Sequence, residues 1–122
     1  MPSVPMTSVL VVEDEWLIAD QIAGALQEAG YEVVGPAGRL NEALTLLETA
    51  SIHAALIDIN IHGDRSFGLA AELIRLSVPF AFLSGYSGGD LPAGLRHIPL
   101  LQKPVDGARL KSCVDGLLKA LR

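Results

Sequence analysis

A single cysteine among 122 residues leaves no partner for an internal disulfide. That economy fits a reducing compartment, so a cytoplasmic location is expected. Cys113 falls in a helical pattern beside Val114 and Leu117, where a small buried or half-buried thiol is the plain reading. Basic residues are also scarce: nine Lys and Arg stand against fourteen Asp and Glu, for a net charge of −5. Binding the phosphate backbone is driven mainly by Lys and Arg, so the charge argues against a nucleic-acid surface and no nucleic-acid partner is expected. No apolar run approaches the length of a membrane span, and no membrane partner is expected. Met1 to Ser8 holds no basic residue and no long apolar stretch, so it is not a secretory signal. Its prolines suggest a loose leader over residues 1–7. His53, His62 and His97 lack metal spacing and a cysteine partner, and read as ordinary surface or loop residues. Internal repeats and linkers are missing as well.

What the chain does have is apolar material. Half of its residues are hydrophobic and the mean hydropathy is +0.40, ample for one buried core and unlike a disordered chain. The length fits a single domain over 8–122, so no separate output domain is expected. Short apolar runs recur at Val9–Val12, Tyr31–Val34, Ala54–Ile57, Phe80–Leu83 and Ile98–Leu101. The first, third and fourth are apolar throughout, which suits strands covered on both faces. Between them lie helical stripes: Ile18, Ile22, Leu26 and Ala29, closed by Gly30; Leu40, Leu44 and Leu47; Leu69, Leu73 and Leu76, with Ser66 as N-cap; and Leu110, Val114, Leu117, Leu118 and Leu121. The order β-α-β-α-β-α-β-loop-β-α predicts an α/β fold, a parallel sheet with helices on both faces. Residues 85–97 hold several glycines and Pro92, poor helix formers, so a loop or frayed turn is expected in place of a fourth full helix. Gly35-Pro36-Ala37-Gly38 lacks a full phosphate-binding pattern and reads as a strand-to-helix turn.

The polar residues stand at telling places. Glu13 and Asp14 follow the first run, Asp58 the third, Ser84 the fourth, and Gln102-Lys103 the fifth. Ligands bind beyond the carboxyl ends of open parallel sheets, where strand order reverses. If the first and third strands are neighbours, about 4.8 Å apart, the three acids converge within reach of one ion. Crowded carboxylates repel, and a divalent cation relieves that conflict; an all-oxygen donor set selects magnesium over zinc. Asp58 is then a nucleophile for phosphorus, ionised without a general base. Magnesium, the Lys103 ammonium and the Ser84 hydroxyl would share the three phosphoryl oxygens. Taken singly, each residue has a plainer reading as solvated loop, cap or turn. Their conjunction at four strand ends points to a site.

These residues resemble the receiver domains of two-component response regulators. Val9 to Asp14 is similar to the family's first strand with its acidic pair, Leu56-Ile57-Asp58 to the strand ending in the phosphorylated aspartate, Ser84 to the hydroxyl position, and Lys103-Pro104 to the lysine-proline step, usually cis. The resemblance implies a flavodoxin-like, doubly wound, five-stranded sheet in the order 2-1-3-4-5, with a degenerate or disordered fourth helix. It also implies direct magnesium ligation by Asp14 and Asp58, through water by Glu13, and by the Asn60 carbonyl. The donor would be a phosphohistidine on a histidine kinase or phosphotransfer protein. Asn60 and Tyr86 would tune phosphoryl lifetime. Ile61-His62 departs from the usual Met-Pro, and Leu100 stands where many receivers carry a switch aromatic. Together with Pro79 to Tyr86, these departures resemble an alphaproteobacterial subgroup of single-domain receivers whose fourth strand reads Phe-Ala-Thr-Gly-Tyr. Phosphorylation is expected to order residues 85–97, with Gly85, Tyr86 and Leu100 forming the switch. Such a protein is no metabolic enzyme; it catalyses its own magnesium-dependent phosphorylation and dephosphorylation, and signals to a downstream protein by contact, as a monomer or weak dimer. Two other readings stand beside it. An adaptor without phosphorylation would need none of the site residues, and a haloacid-dehalogenase-like hydrolase would carry an acid where Asn60 stands. Trp16, close to the acidic pair, reads either as a partner anchor or as filling beside the sheet.

Overall fold

The computed structural model describes residues 6–85 and 91–119. Strands β1 (Ser8–Val12), β2 (Glu32–Ala37), β3 (Ala54–Asp58), β6 (Phe80–Ser84) and β7 (Leu100–Gln102) form a parallel sheet in the order β2-β1-β3-β6-β7. A short antiparallel hairpin, β4 (Asn60–Ile61) with β5 (Asp64–Arg65), lies between β3 and helix α3. Setting that hairpin aside, the order is the expected 2-1-3-4-5.

Alternation along the central strands explains the layers. Leu10, Val12, Ala55, Ile57, Phe80 and Phe82 face one cluster, which takes Ala43 from α2 (Leu40–Thr49) and Leu69, Ala70 and Leu73 from α3 (Phe67–Arg75). Val9, Val11, Ala54, Leu56, Ala81 and Leu83 face the other, against Ile22 and Leu26 of α1 (Trp16–Glu28) and Leu110, Val114 and Leu117 of α4 (Gly107–Lys119). Every residue of β1, β3 and β6 is buried, as their unbroken apolar runs require. Phe82 meets Phe67 and Phe80 edge-to-face, with centroids 6.2 and 5.5 Å away. No helix among the described residues is long and apolar enough to cross a membrane.

Helix α1 ends as its glycine implies. Gly30, at φ +94°, donates to the Gln27 carbonyl and Tyr31 to that of Leu26, both at 3.0 Å. These two bonds make a Schellman cap. Between Leu91 and Pro99 the described chain makes only a 3₁₀ turn, Ala93–Leu95.

Several expectations need correction. Gly35-Pro36-Ala37 is not a turn but the end of β2, where a bulge shifts the register so that Val12 faces Ala37. The Ala37 carbonyl accepts the Glu13 amide at 3.0 Å, which carries the strand onward. Leu44 and Leu76 are 40% and 41% exposed, and the fully buried side chain of α2 is the small Ala43, whereas α3 buries Leu69 and Leu73 as its stripe implies, with Ala70 beside them. Ser66 stands at the N-cap of α3, but its hydroxyl makes no capping bond. Trp16 is 78% exposed, so it fills no gap beside the sheet. The expected leader over 1–7 and the end of the last stripe, Leu121, fall mostly or wholly outside the described residues.

Candidate functional site

The parallel arrangement sends β1, β3, β6 and β7 to the same edge, and their last residues carry the polar groups. Since β1 pairs with β3, and β3 with β6, the acids after Val12 and at Asp58 are brought side by side. One carboxylate oxygen from each of Glu13, Asp14 and Asp58 lies within 4.8 Å of the others, a spacing at which one cation can be shared. Lys103 reaches over from the end of β7. Its Nζ donates to Glu13 Oε1 at 2.7 Å and to Asp58 Oδ2 at 2.8 Å. The Lys103 amide is held by the Ser84 carbonyl at 2.7 Å, and the following Lys103-Pro104 bond is cis.

Each carboxylate has its own setting. Glu13 is 1% exposed. Burial pushes its carboxyl up to about 7, with the charge of Asp58 adding to the rise, against the pull of Lys103 and of the Glu15 amide, which donates at 3.1 Å. Asp14 is half-buried. Burial works to raise its carboxyl too, but the His62 amide and Glu13 outweigh that and hold it below the ordinary value. Asp58 is buried, and the Asn60 amide donates to its Oδ1 at 3.1 Å. For Lys103, burial disfavours the ammonium, yet its bonds to Asp58 and Glu13 prevail and its pKa is raised. Three carboxylates against one ammonium leave an excess of two negative charges when all are ionised, which a divalent ion would cancel. The all-oxygen set suits a hard ion. Lys103 already supplies part of the counter-charge that the sequence reading gave to the metal alone.

Asp14 and Asp58 open into a cleft of about 590 Å³. Asp14, Asp58, Asn60 and Lys103 line its polar end, while Ile18, Pro104 and Val105 give it an apolar wall, and Gln21 joins them from α1. Asn60 belongs to the hairpin. Because the Ser66 amide donates to the Ile59 carbonyl, alternation makes Asn60–Arg65 the unbonded pair. The main-chain groups of Asn60 therefore face away from β5.

Among the other expected residues, Ser84 is buried at the end of β6 and Gly85 lines the cleft. Leu100 is half-buried and packs against the core cluster that contains Phe82. Tyr86 lies outside the described residues. His62 is the contributor that the sequence reading missed, because it acts through its backbone: its amide donates to Asp14 Oδ2 at 2.8 Å. The His62-Gly63 pair, between Asn60-Ile61 and Asp64-Arg65, is a signal for a tight turn that could have drawn attention to it. His53 is likewise more than a loop residue, since its Nδ1 accepts the Ser8 amide at 2.9 Å and joins the starts of β1 and β3.

No family model matches the chain. Among curated relatives, the transcriptional regulatory protein PdtaR of Mycobacterium tuberculosis is 34% identical over 84 residues. That match takes in 68% of this chain, which spans 41% of the length of that relative. Solved structures agree over a longer stretch. SdrG of Sphingomonas melonis is 33% identical over 95% of this chain and 96% of its own, with a TM-score of 0.78. The response regulator PhyR of Brucella abortus is 30% identical over 96% of this chain and 49% of its own, with a TM-score of 0.83. Likeness of this extent, over nearly the whole chain, places it in the CheY-like response-regulator receiver family.

Proposed function

We propose that the chain accepts a phosphoryl group on Asp58, with magnesium bound by the neighbouring acids, from the phosphohistidine of a histidine kinase or phosphotransfer protein. The observation that carries this reading is the contact of Lys103 with both Asp58 and Glu13 while Asp14 stands within sharing distance of the same two acids. Glu13, Asp14, Asp58 and the outward carbonyl of Asn60 would hold the ion. When bound, magnesium neutralises the crowded carboxylates and the phosphoryl oxygens.

The chain's own residues supply the rest. An ionised Asp58 oxygen attacks phosphorus; the phosphorus–nitrogen bond breaks, and its electron pair leaves with the imidazole nitrogen, the ring departing neutral because its other nitrogen already carries a proton. Lys103 turns from its carboxylate partners to a phosphoryl oxygen, and the Ser84 hydroxyl serves another. Phosphoryl transfer asks mostly for positioning and charge, so no further acid or base is required. The apolar wall of Ile18, Pro104 and Val105 beside the anionic end suits an imidazole ring, which favours phosphohistidine as donor. A structure of SdrG is described as its beryllofluoride-activated conformation, and the same phosphoryl mimic is expected to act here. Signalling would then pass by protein contacts, with Gly85, Tyr86 and Leu100 responding to the modified Asp58.

Incubation with acetyl phosphate and magnesium, followed by intact mass, tests this. The expected result is an adduct of one phosphoryl group that Asp58→Asn abolishes. An adduct that persists in Asp58→Asn, or no adduct at all, would point away from it; rapid turnover of assorted phosphate esters would indicate a hydrolase.

A further inference from the structure

After Asp58 the chain folds back through His62 and Gly63, with Ile61 paired to Asp64 across them. Both turn residues have positive φ, 50° at His62 and 83° at Gly63, the combination of a type I′ hairpin. The hairpin is firmly seated. Ile61 is buried in the core, and the Ser66 amide closes onto the Ile59 carbonyl at 2.8 Å. In a two-residue turn the ladder does not use the amide of the first turn residue, which faces outward. Here that amide, on His62, meets Asp14 Oδ2 at 2.8 Å. Two residues earlier the Asn60 amide meets Asp58 Oδ1. One hairpin thus holds two carboxylates that come from different strands.

From this we infer that the β4–β5 hairpin is a positioning device for the cation site: the main-chain amide of His62 sets the orientation of Asp14, and the His62 imidazole has no part in it. The inference rests on the magnesium-dependent reading above. Lys103 holds Glu13 and Asp58, whereas Asp14, half-buried, owes its tether across the fold to the hairpin. Fixing one oxygen of a carboxylate points the other, and removes rotamer freedom that an ion would otherwise have to freeze. Proline at position 62, as in the Met-Pro pattern, would offer no amide. The His62 departure therefore supplies a donor.

The test is equilibrium Mn²⁺ binding to the full chain by electron paramagnetic resonance, with Mg²⁺ competition. At Gly63 an added Cβ meets nothing within 4 Å. Gly63→Asn and Gly63→Val thus add similar bulk, and only the β-branched valine resists the positive φ. Gly63→Val is expected to weaken binding about tenfold, the scale at which partners of metal ligands act. Gly63→Asn and His62→Gly, which keep the turn and the amide, stay within about twofold on that scale. A backbone ester at position 62, which deletes the N–H and alters no side chain, is expected to match Gly63→Val and decides the matter should that variant not fold. Wild-type binding with an equally tight ester variant overturns the inference alone, as does a loss in His62→Gly. A wild-type chain that binds neither ion overturns the magnesium reading itself, and the inference falls with it.

Discussion

Glu13 sits where burial and a neighbouring charge oppose its ionisation, and this has a measurable consequence. Its carboxyl titrates near 4.5 when the chain is unfolded and at about 7 when folded. Between those values the folded protein binds more protons than the unfolded one, so stability falls as pH rises. Below 4.5 both forms are neutral and nothing is lost; above about 7 the loss is complete. Metal-free protein is expected to show a urea midpoint that declines across that window, and Glu13→Gln to show none of this decline. A midpoint flat in both proteins would contradict the assignment. At this scale the sequence marked the side chains that the fold brings together. Glu13, Asp14, Asp58 and Lys103 stand out because each follows an apolar run. The His62 amide does not, because a backbone donor has no side-chain signature and its identity depends on a turn geometry.

Among the elements, β2 shows how local conformation builds the rim of the site. Gly35 has φ +93°, and a Cβ there would lie 2.6 Å from the Ala37 nitrogen and 3.0 Å from the Val11 carbonyl oxygen. Both are backbone atoms, which cannot rotate aside. Gly35→Ala is expected to cost about 2 kcal/mol, read from the urea midpoint; a change within a few tenths would contradict the geometry. Unbroken apolar runs announced β1, β3 and β6, and the stripes announced four helices, because both patterns extend over enough residues to have a period. β4 and β5 have two residues each and no period to read. The leucine stripes of α2 and α3 marked the inward faces only in part: Leu69 and Leu73 are buried, whereas Leu44 and Leu76 are exposed and Ala43 and Ala70 are buried. Leucine marks an apolar face without saying how close the sheet will come, and close approach favours Ala43 and Ala70.

The molecule as a whole couples its charge to its fold. A site with three acids and one lysine is held together by packing on both faces of the sheet, and an ion that binds only the folded form adds to stability. At magnesium about ten times its Kd the gain is expected to be about 1.4 kcal/mol. It should show as a rise in the urea midpoint with MgCl₂ and be lost in Asp14→Asn, whereas an equal rise in that variant would indicate a general salt effect. Strand order came from the family resemblance rather than from the residues, and the observed pairing of β1 with β3 is what brings the acids together.

The central claim is that these strand-end groups form a cradle for a tetrahedral anion around a divalent ion. Fluorine NMR of beryllofluoride with the full chain tests it most directly. Bound resonances are expected only with magnesium present and are absent from Asp58→Asn. Resonances that form without magnesium, that persist in Asp58→Asn, or that never appear in the wild-type chain would contradict the account.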